Sequence, residues 1–232
     1  ERMRFYTEID IIQFQLDLTA EFKHIIQFKE NFPVSYFIDT KSYFDRTQSI
    51  GTYLTPKELF DIVRSSSTIK SIINFFNNDQ ENNYPTLKEL TKEITLYPFI
   101  ISRINSVIDK YGEIKNNASA ELAKIRNELS KKQSSVSQTI HKVLKREVNN
   151  GNVENDAEVS VRENKLLIPV ESSNKRKIKG IIYGESATGK TSYIEPIEVV
   201  TLNNEIKELE FAETREIRKI LTELTDELRP YY

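Results

Sequence analysis

One short stretch of the chain carries residues of the types and spacing that bind nucleotide phosphates. Residues 184–191 read GESATGKT and match the P-loop pattern G-x-x-x-x-G-K-[ST] at every position. In a P-loop of this kind, Lys190 would contact the phosphates and the hydroxyl of Thr191 would bind a magnesium ion. This pattern defines one candidate function, a small P-loop NTPase.

The residues around this octapeptide argue against a nucleotide site. A working P-loop lies between a buried strand and a helix whose N-terminal N–H groups hold the phosphates. Residues 179–183 suit the strand, but Pro196 follows Thr191 too closely for a helix to continue there. Tyr193 and Ile194 also have side chains that favour strands. We therefore expect the octapeptide to form a Gly-containing turn between two strands.

The composition bounds the class of protein. With 232 residues, 29% of them charged, the chain suits one large or two small domains with much exposed helix. No run of about 18 apolar residues occurs, so we expect no membrane partner. The chain has no cysteine, which excludes disulfides, thiolate zinc sites and cysteine nucleophiles. This usage fits a reducing, intracellular compartment, and we expect a cytoplasmic protein.

The charge balance limits how the chain could bind nucleic acid. Its formal net charge is −2, whereas a protein that coats nucleic acid with its whole surface is basic. Any such contact therefore requires a local basic patch. The chain begins with Glu1 rather than methionine, and we expect it to be a piece of a longer protein.

Hydrophobic periodicity predicts the elements in chain order. Apolar residues at helical spacing predict several short helices over 1–112, one of them capped by Thr55 with Glu58 three residues later. Residues 113–148 contain no Pro or Gly and show a narrow apolar stripe, which predicts one long helix. We expect that helix to end near Gly151 in a left-handed conformation.

A β-rich insert and a second long helix follow. Short apolar runs separated by turn residues predict about four strands in hairpin succession, with turns near 163–164, 172–174 and 184–189. The second helix begins after Pro196, and its apolar stripe runs over 202–228. Two long helices that flank a small sheet in sequence can pair antiparallel, with the sheet at their far tip.

We therefore predict a mainly α fold with a small antiparallel β insert. A helical core globule is assigned to residues 1–112, and two long antiparallel helices to 113–150 and 197–232. The four-stranded insert is assigned to 151–196, at the tip of the helix pair.

Two segments resemble signatures of the MutS superfamily of DNA repair proteins. Residues 180–204 are similar to the family's clamp signature, G-x-x-x-x-x-S-A-S-G-x-T-x-F-x-E-P followed by V-x-L-N-N. Residues 111–122 resemble the start of the family's lever helix. The resemblance covers most of the chain and is strongest over 111–230, in the branch linked to suppressing recombination that lacks a mismatch-reading domain. Lys190 departs from the signature, which often has a small residue there.

The resemblance implies a core, lever and clamp fragment of a protein that acts in DNA repair, mismatch repair or recombination control. The family's ATPase, with ATP and magnesium, would lie beyond Tyr232, as would any nuclease domain. We therefore expect this chain to be no enzyme, with no catalytic residues and no cofactor or metal of its own. The implied partner is duplex or branched DNA, with structured RNA or a ribosome as the alternative, and the parent would be a homodimer.

Four basic residues within five positions are the first candidates for DNA contact. They are Lys175, Arg176, Lys177 and Lys179. We expect them in or beside a turn at the tip, where they would contact phosphates in any sequence. Ser186, Thr188 and Lys190 are secondary candidates, because hydroxyl and N–H groups of a turn also bind phosphate. A solvated surface turn is the alternative for the basic cluster. For the second set the alternative is stabilisation of the turn itself, which we favour.

Other residues of the clamp signature suggest structural roles. Pro196 suits the first turn of a helix, and Asn203 and Asn204 are expected to tie the sheet to the second long helix. A third candidate function is a coiled-coil scaffold that binds another protein along the apolar stripe of residues 202–228.

Overall fold

The computed structural model describes residues 5–231 and confirms a mainly α protein with a small antiparallel sheet. In chain order, the helices and strands are α1 (Ile9–Phe28), α2 (Lys41–Arg46), α3 (Pro56–Asn77), α4 (Pro85–Thr91), α5 (Pro98–Val107), α6 (Ala120–Asn149), β1 (Ser160–Arg162), β2 (Lys165–Glu171), β3 (Gly180–Glu185), β4 (Thr191–Pro196) and α7 (Ile197–Leu228). A short 3-10 helix, Arg229–Tyr231, follows α7. None of the helices in this described range has the length and apolar character needed to cross a membrane.

The chain divides into two compact units. One combines the residues up to Lys115 with those from Leu221 onward, and the other is Asn116–Ile220. Helix α7 therefore contributes most of its length to the second unit and its last turns to the first. The sequence-based boundaries at residues 112, 150 and 196 partition the chain differently and stay a prediction. The predicted outer limits, residues 1 and 232, lie outside the described residues.

The first unit is held by caps and side-chain hydrogen bonds as well as by apolar packing. The predicted cap of α3 is confirmed as a capping box, in which Thr55 and Glu58 each bind the other's backbone N–H. The backbone N–H of buried Leu54 donates to the hydroxyl of Thr225 on α7 at 2.9 Å. Arg103 on α5 binds the carboxylate of Glu227 with two N–H groups. The end of α7 is thus an integral part of this unit.

The second unit is built on an antiparallel pair of long helices. As residue numbers rise along α6, the numbers of their polar partners on α7 fall, which fixes the antiparallel direction. The bonded pairs are Ser119–Glu216, Arg126–Glu213, Lys132–Glu205 and Arg146–Glu198, at 2.6–2.8 Å.

Along α6, apolar burial is concentrated at the two ends of the helix. Ile125 is the last buried residue of the N-terminal half of α6, and Ile140 is the next one along the helix. About 22 Å of helix separates them at 1.5 Å per residue. The ion pair between Lys132 and Glu205 bridges the two helices within this stretch.

Helix α6 begins at Ala120 rather than at the predicted residue 113. Before it, Ile108 and Ile114 form an antiparallel bridge, and the Asp109 carboxylate accepts hydrogen bonds from nearby backbone N–H groups. The hydroxyl of Ser119 accepts from the N–H of Leu122 at 2.9 Å and caps the helix. The prediction placed the start of the helix too early, because residues 113–148 contain no Pro or Gly. The boundary is set instead by polar side chains that cap the helix.

The other end of α6 is organised by a buried carboxylate. Glu147 is 6% exposed, and it accepts hydrogen bonds from Asn152 and Arg146, each at 2.8 Å. Burial alone would raise the pKa of Glu147, but these bonds outweigh it and hold the pKa below its usual range. Gly151, which lies between Glu147 and Asn152 in the sequence, has φ +70°. The left-handed residue predicted after this helix is therefore confirmed.

The sheet has the strand order β1-β2-β4-β3, and all neighbours are antiparallel. The predicted turn at 163–164 is confirmed, since Glu163 and Asn164 both have positive φ, as a two-residue hairpin turn of type I′ requires. The prediction of hairpin succession is wrong at the next connection, because β2 pairs with β4 instead of β3.

Residues 172–179 make this connection by crossing the sheet from one end to the other. They leave β2 at Glu171, which pairs with Thr191, and reach β3 at Gly180, which pairs with Pro196. Turn residues at 172–174 suggested a tight hairpin. The crossing is instead anchored by Ile178, which is 7% exposed in the apolar core, and local sequence does not reveal such a tertiary contact.

One face of the sheet packs on the end of α6. Ile168 and Ile194 are cross-strand partners on β2 and β4, and both are fully buried together with Ile140 of α6. Strand β4 ends at Pro196 and α7 begins at the next residue, so no loop separates them. The sheet is therefore fixed to the ends of α6 and α7 that meet at Arg146 and Glu198.

Candidate nucleic-acid interface

The octapeptide of residues 184–191 forms the hairpin turn between β3 and β4. The N–H of Ser186 donates to the carbonyl of Thr191 at 2.7 Å, and the N–H of Gly189 donates to the carbonyl of Ser186 at 2.8 Å. Thr191 then begins β4, which runs antiparallel to β3. No helix N-terminus follows the loop, so the element that holds phosphates in a P-loop is missing here.

The crossing segment and this hairpin turn lie side by side. Ser172 donates its N–H to the carbonyl of Lys190 at 2.9 Å and its hydroxyl to the carbonyl of Gly189 at 2.6 Å. We call the edge formed by residues 171–177 and 185–191 the loop end of the sheet. Six of the seven predicted DNA-contact residues belong to these two segments, which the ion pair between Lys175 and Glu185 also joins. They are Lys175, Arg176, Lys177, Ser186, Thr188 and Lys190.

The predicted contact residues at the loop end differ in their availability. Lys175 forms an ion pair with Glu185 at 2.8 Å, and this bond lowers the pKa of the Glu185 carboxyl. Arg176, Lys177 and Lys190 are exposed, and the structure gives them no ion pair within residues 5–231. Three charges at this end are therefore free to attract an anionic ligand.

The two hydroxyls at the loop end also differ in what they do. Ser186 is half-buried, and its hydroxyl accepts from the N–H of Thr191 at 3.1 Å, which closes the turn. Thr188 is exposed at the outer side of the same turn. Thr188 and Lys190 thus offer donors to a ligand, whereas Ser186 mainly shapes the turn.

Lys179, the seventh predicted contact residue, is separated from the others. Its carbonyl accepts the N–H of Ile197 at 2.9 Å, where β4 passes into α7. This is the opposite end of the sheet, which we call the helix end. The length of β3, about 18 Å, separates Lys179 from the hairpin turn.

A buried carboxylate joins the sheet to α7 at the helix end. Glu195 on β4 is 1% exposed, and it accepts from Asn203 on α7 at 2.6 Å and pairs with Lys165 at 3.3 Å. A hydrogen bond to the same carboxylate raises the pKa of the Tyr183 hydroxyl. The predicted tie between Asn203 and the sheet is confirmed, whereas Asn204 is exposed on α7.

Gly180 allows the close pairing of β3 with β4 at this end. A Cβ at this position would lie 2.2 Å from the carbonyl oxygen of Glu195, inside any real contact distance. The first glycine of the clamp signature is therefore needed for space rather than for a special backbone conformation.

Sequence reasoning missed a pair of residues on the same sheet. The guanidinium carbon of Arg162 on β1 lies 3.4 Å from the ring centre of Tyr193 on β4. Strand alternation could have assigned each residue to a face. The pairing of β2 with β4, which brings the two side chains together, could not be read from local patterns.

Sequence comparison with known proteins finds several relatives that share one name. No family model matches the chain. Over 207 residues it is 30% identical to a protein named Endonuclease MutS2 from Alkaliphilus oremlandii, which covers 89% of this chain and 26% of that protein. Proteins of the same name from Finegoldia magna and Pelotomaculum thermopropionicum are 33% and 34% identical over 94% and 75% of the chain. The chain spans 28% and 22% of their respective lengths.

Proposed function

We propose that this chain binds DNA. The premise of the proposal is that the chain belongs to the MutS family. This premise is supported by 30–33% sequence identity, over most of the chain, to proteins named Endonuclease MutS2. Within that family we assign it to the core, lever and clamp region. The helices before residue 112 are the core, α6 and α7 are the lever, and β1–β4 form the clamp.

The proposal rests on the exposed cations at the loop end of the sheet. Arg176, Lys177, Lys190 and Thr188 are exposed in its two segments, and among residues 5–231 the structure gives the three cations no ion pair. Such groups bind phosphate oxygens and do not discriminate between bases. We therefore propose that the loop end grips the backbone of duplex or branched DNA.

A local patch of this kind agrees with the charge of the whole chain. The net charge is −2, so long-range attraction to DNA is weak and contact depends on the few free cations. Binding should weaken steeply with salt, because each neutralised phosphate releases a counterion.

Further properties of the parent follow from the family assignment. We propose that this region is non-catalytic and holds no cofactor, and that ATP and magnesium belong to an ATPase elsewhere in the parent. We propose that the parent is a cytoplasmic homodimer acting in DNA repair, mismatch repair or recombination control. Structured RNA or a ribosome remains the alternative partner, since contacts to the phosphate backbone suit both polymers.

The other two candidate functions have less support. The NTPase using Lys190 and Thr191 lacks a helix N-terminus at the loop. A scaffold along residues 202–228 requires an uncovered apolar stripe, but Ile206, Ile220 and Leu224 are buried.

Binding of labelled duplex and branched DNA, measured by fluorescence anisotropy at about 50 mM and about 200 mM salt, tests the proposal. The variant Arg176→Glu with Lys177→Glu should lose binding to both DNAs. The matched control is Lys124→Glu with Lys131→Glu, which makes the same charge change at exposed positions of α6. Equal loss in both variants would contradict a contact at the loop end. Binding of ATP–magnesium that is lost in Lys190→Ala would instead support the NTPase.

A further inference from the structure

Arg162, which is exposed, covers the ring of half-buried Tyr193, and the pair forms a flat surface on the sheet. The guanidinium carbon lies 3.4 Å from the ring centre. If the guanidinium plane stood perpendicular to the ring, one nitrogen would point at the ring. Its bond to the central carbon is about 1.3 Å long, so that nitrogen would lie only about 2 Å from the ring. The group therefore lies flat on the ring and turns its other side away from it.

Arg162 is oriented without being neutralised. Its side chain is exposed, and the structure gives it no ion pair to any carboxylate among the described residues. Contact with an aromatic ring holds an arginine in place while its N–H groups stay available to a ligand. A buried or ion-paired arginine could offer neither its flat side nor its charge.

The surroundings of this pair interleave cations and aromatic rings. By strand alternation, Lys165 on β2 lies on the same face of the sheet as Arg162 and Tyr193, and its ammonium pairs with the carboxylate of Glu195. Tyr183 on β3 reaches the same carboxylate with its hydroxyl. Lys179 continues this face at the start of β3, where its carbonyl extends the ladder to Ile197. Arg162 and Lys179 flank the face at its two edges, about 14 Å apart across three strand spacings.

This surface is distinct from the loop end. Arg162 pairs with Lys165 beside the β1–β2 turn, and that turn lies at the helix end of the sheet. The loop end offers flexible cations on turns, which suit phosphates. The Arg162–Tyr193 pair instead offers a rigid flat surface of the kind on which nucleobases stack.

We propose that Arg162 and Tyr193 form a stacking platform for an unpaired nucleotide, with Arg162 and Lys179 near its phosphates. Bases inside a duplex are already stacked on each other and cannot reach this surface. The platform therefore selects DNA with an unpaired segment, such as a gap or a fork with single-stranded arms. This inference rests on the proposed DNA binding and narrows its substrate class.

A gapped duplex that carries 2-aminopurine at an unpaired position tests the platform. The chain contains no tryptophan, so the probe can be excited without interference from the protein. We expect its fluorescence to be quenched on binding, and we expect the gapped duplex to bind about fivefold or more tightly than the intact duplex.

Three variants separate stacking from charge. Arg162→Lys keeps the charge but removes the flat group, so it should abolish the quenching and the preference for the gap while duplex binding stays unchanged. Tyr193→Leu should have the same effect, and Tyr193→Phe should retain both. Circular dichroism and the thermal unfolding midpoint check that each variant is folded.

The possible outcomes distinguish this inference from the function on which it rests. Binding of duplex and gapped DNA with equal affinity and no quenching would overturn the platform and leave the loop-end contact intact. Quenching that survives in Arg162→Lys would also overturn it. No binding of either DNA would overturn both proposals.

Discussion

The carboxylate of Glu195 at the end of β4 lies 2.6 Å from the side-chain amide of Asn203, two turns into α7. Because Glu195 is almost fully buried, this bond satisfies an acceptor that water cannot reach. The last strand of the sheet and the first turns of α7 are thereby held together by a side-chain bond as well as by the chain itself.

Asn203→Ala should destabilise the protein by about 1–3 kcal/mol, because it leaves a buried carboxylate short of one donor. Urea unfolding followed by circular dichroism measures the loss. Asn204→Ala is the matched control, since Asn204 is exposed on the same turn, and its effect should stay within about 0.5 kcal/mol. Equal effects of the two substitutions would contradict the structural role of Asn203.

Gly180→Ala should destabilise the sheet, because the new Cβ would lie 2.2 Å from the backbone oxygen of Glu195. Overpacking of this kind costs about 1–3 kcal/mol, and the β3–β4 pairing should be the part that loosens. Hydrogen exchange of the amides of β3 reports this directly. Gly189→Asn is the control, because the space around Gly189 is open and Asn tolerates its positive φ.

Acid should weaken the turn after α6 through Glu147. The pKa of this carboxyl is lower in the folded protein than in the unfolded chain, where it is about 4.3. Its contribution to stability is therefore complete at neutral pH and is lost as the pH falls below about 4 through the folded pKa.

Glu147→Gln should accordingly reduce the free energy of unfolding at pH 7 and flatten its decline in acid. Unfolding by urea at a series of pH values measures both effects. Glu154→Gln removes an exposed carboxylate from the same region and serves as the control. An unchanged slope in Glu147→Gln would refute the assignment.

Glu185→Gln should tighten DNA binding, because it releases Lys175 from its ion pair at the loop end. An exposed pair of this type contributes at most about 1 kcal/mol, so affinity should rise by up to about fivefold. Lys175→Ala should correspondingly weaken binding less than Lys190→Ala, whose charge is unpaired. Anisotropy titrations of the three variants at one salt concentration decide the order.

The middle of α6 should open more readily than its ends. Between Ile125 and Ile140, α6 has no buried residue, and the Lys132–Glu205 ion pair is exposed to solvent on both sides. Local opening is easiest where apolar contacts are few. Hydrogen exchange should be faster for amides 128–138 than for 140–147, and high salt should widen the difference. Uniform protection along α6 would contradict this view.

Local patterns predicted the elements well where short-range chemistry decides them. The capping box at Thr55, the left-handed Gly151 and the turn at Glu163 and Asn164 all depend on neighbours within a few residues. The start of α6 was missed because Ser119, a polar cap without Pro or Gly, marks it.

The arrangement of the sheet could not be predicted in the same way. The placement of β4 between β2 and β3 depends on the burial of Ile178, a contact made across the fold. That placement separates Lys179 from the other predicted contact residues and brings Arg162 onto Tyr193. The sequence therefore predicted which residues form the candidate site. It did not predict that these residues are divided between the two ends of the sheet, which only the structure shows.

The direct passage of β4 into α7 has a mechanical consequence. A strand that becomes a helix without a loop has no soft element in series with it, and the Glu195–Asn203 bond stiffens the joint further. The connection from α6 to the sheet runs instead through residues 150–159, which lie outside any helix or strand. A load on the sheet therefore passes into α7 through the continuous chain, whereas it reaches α6 through the packing of Ile168 and Ile194 on Ile140.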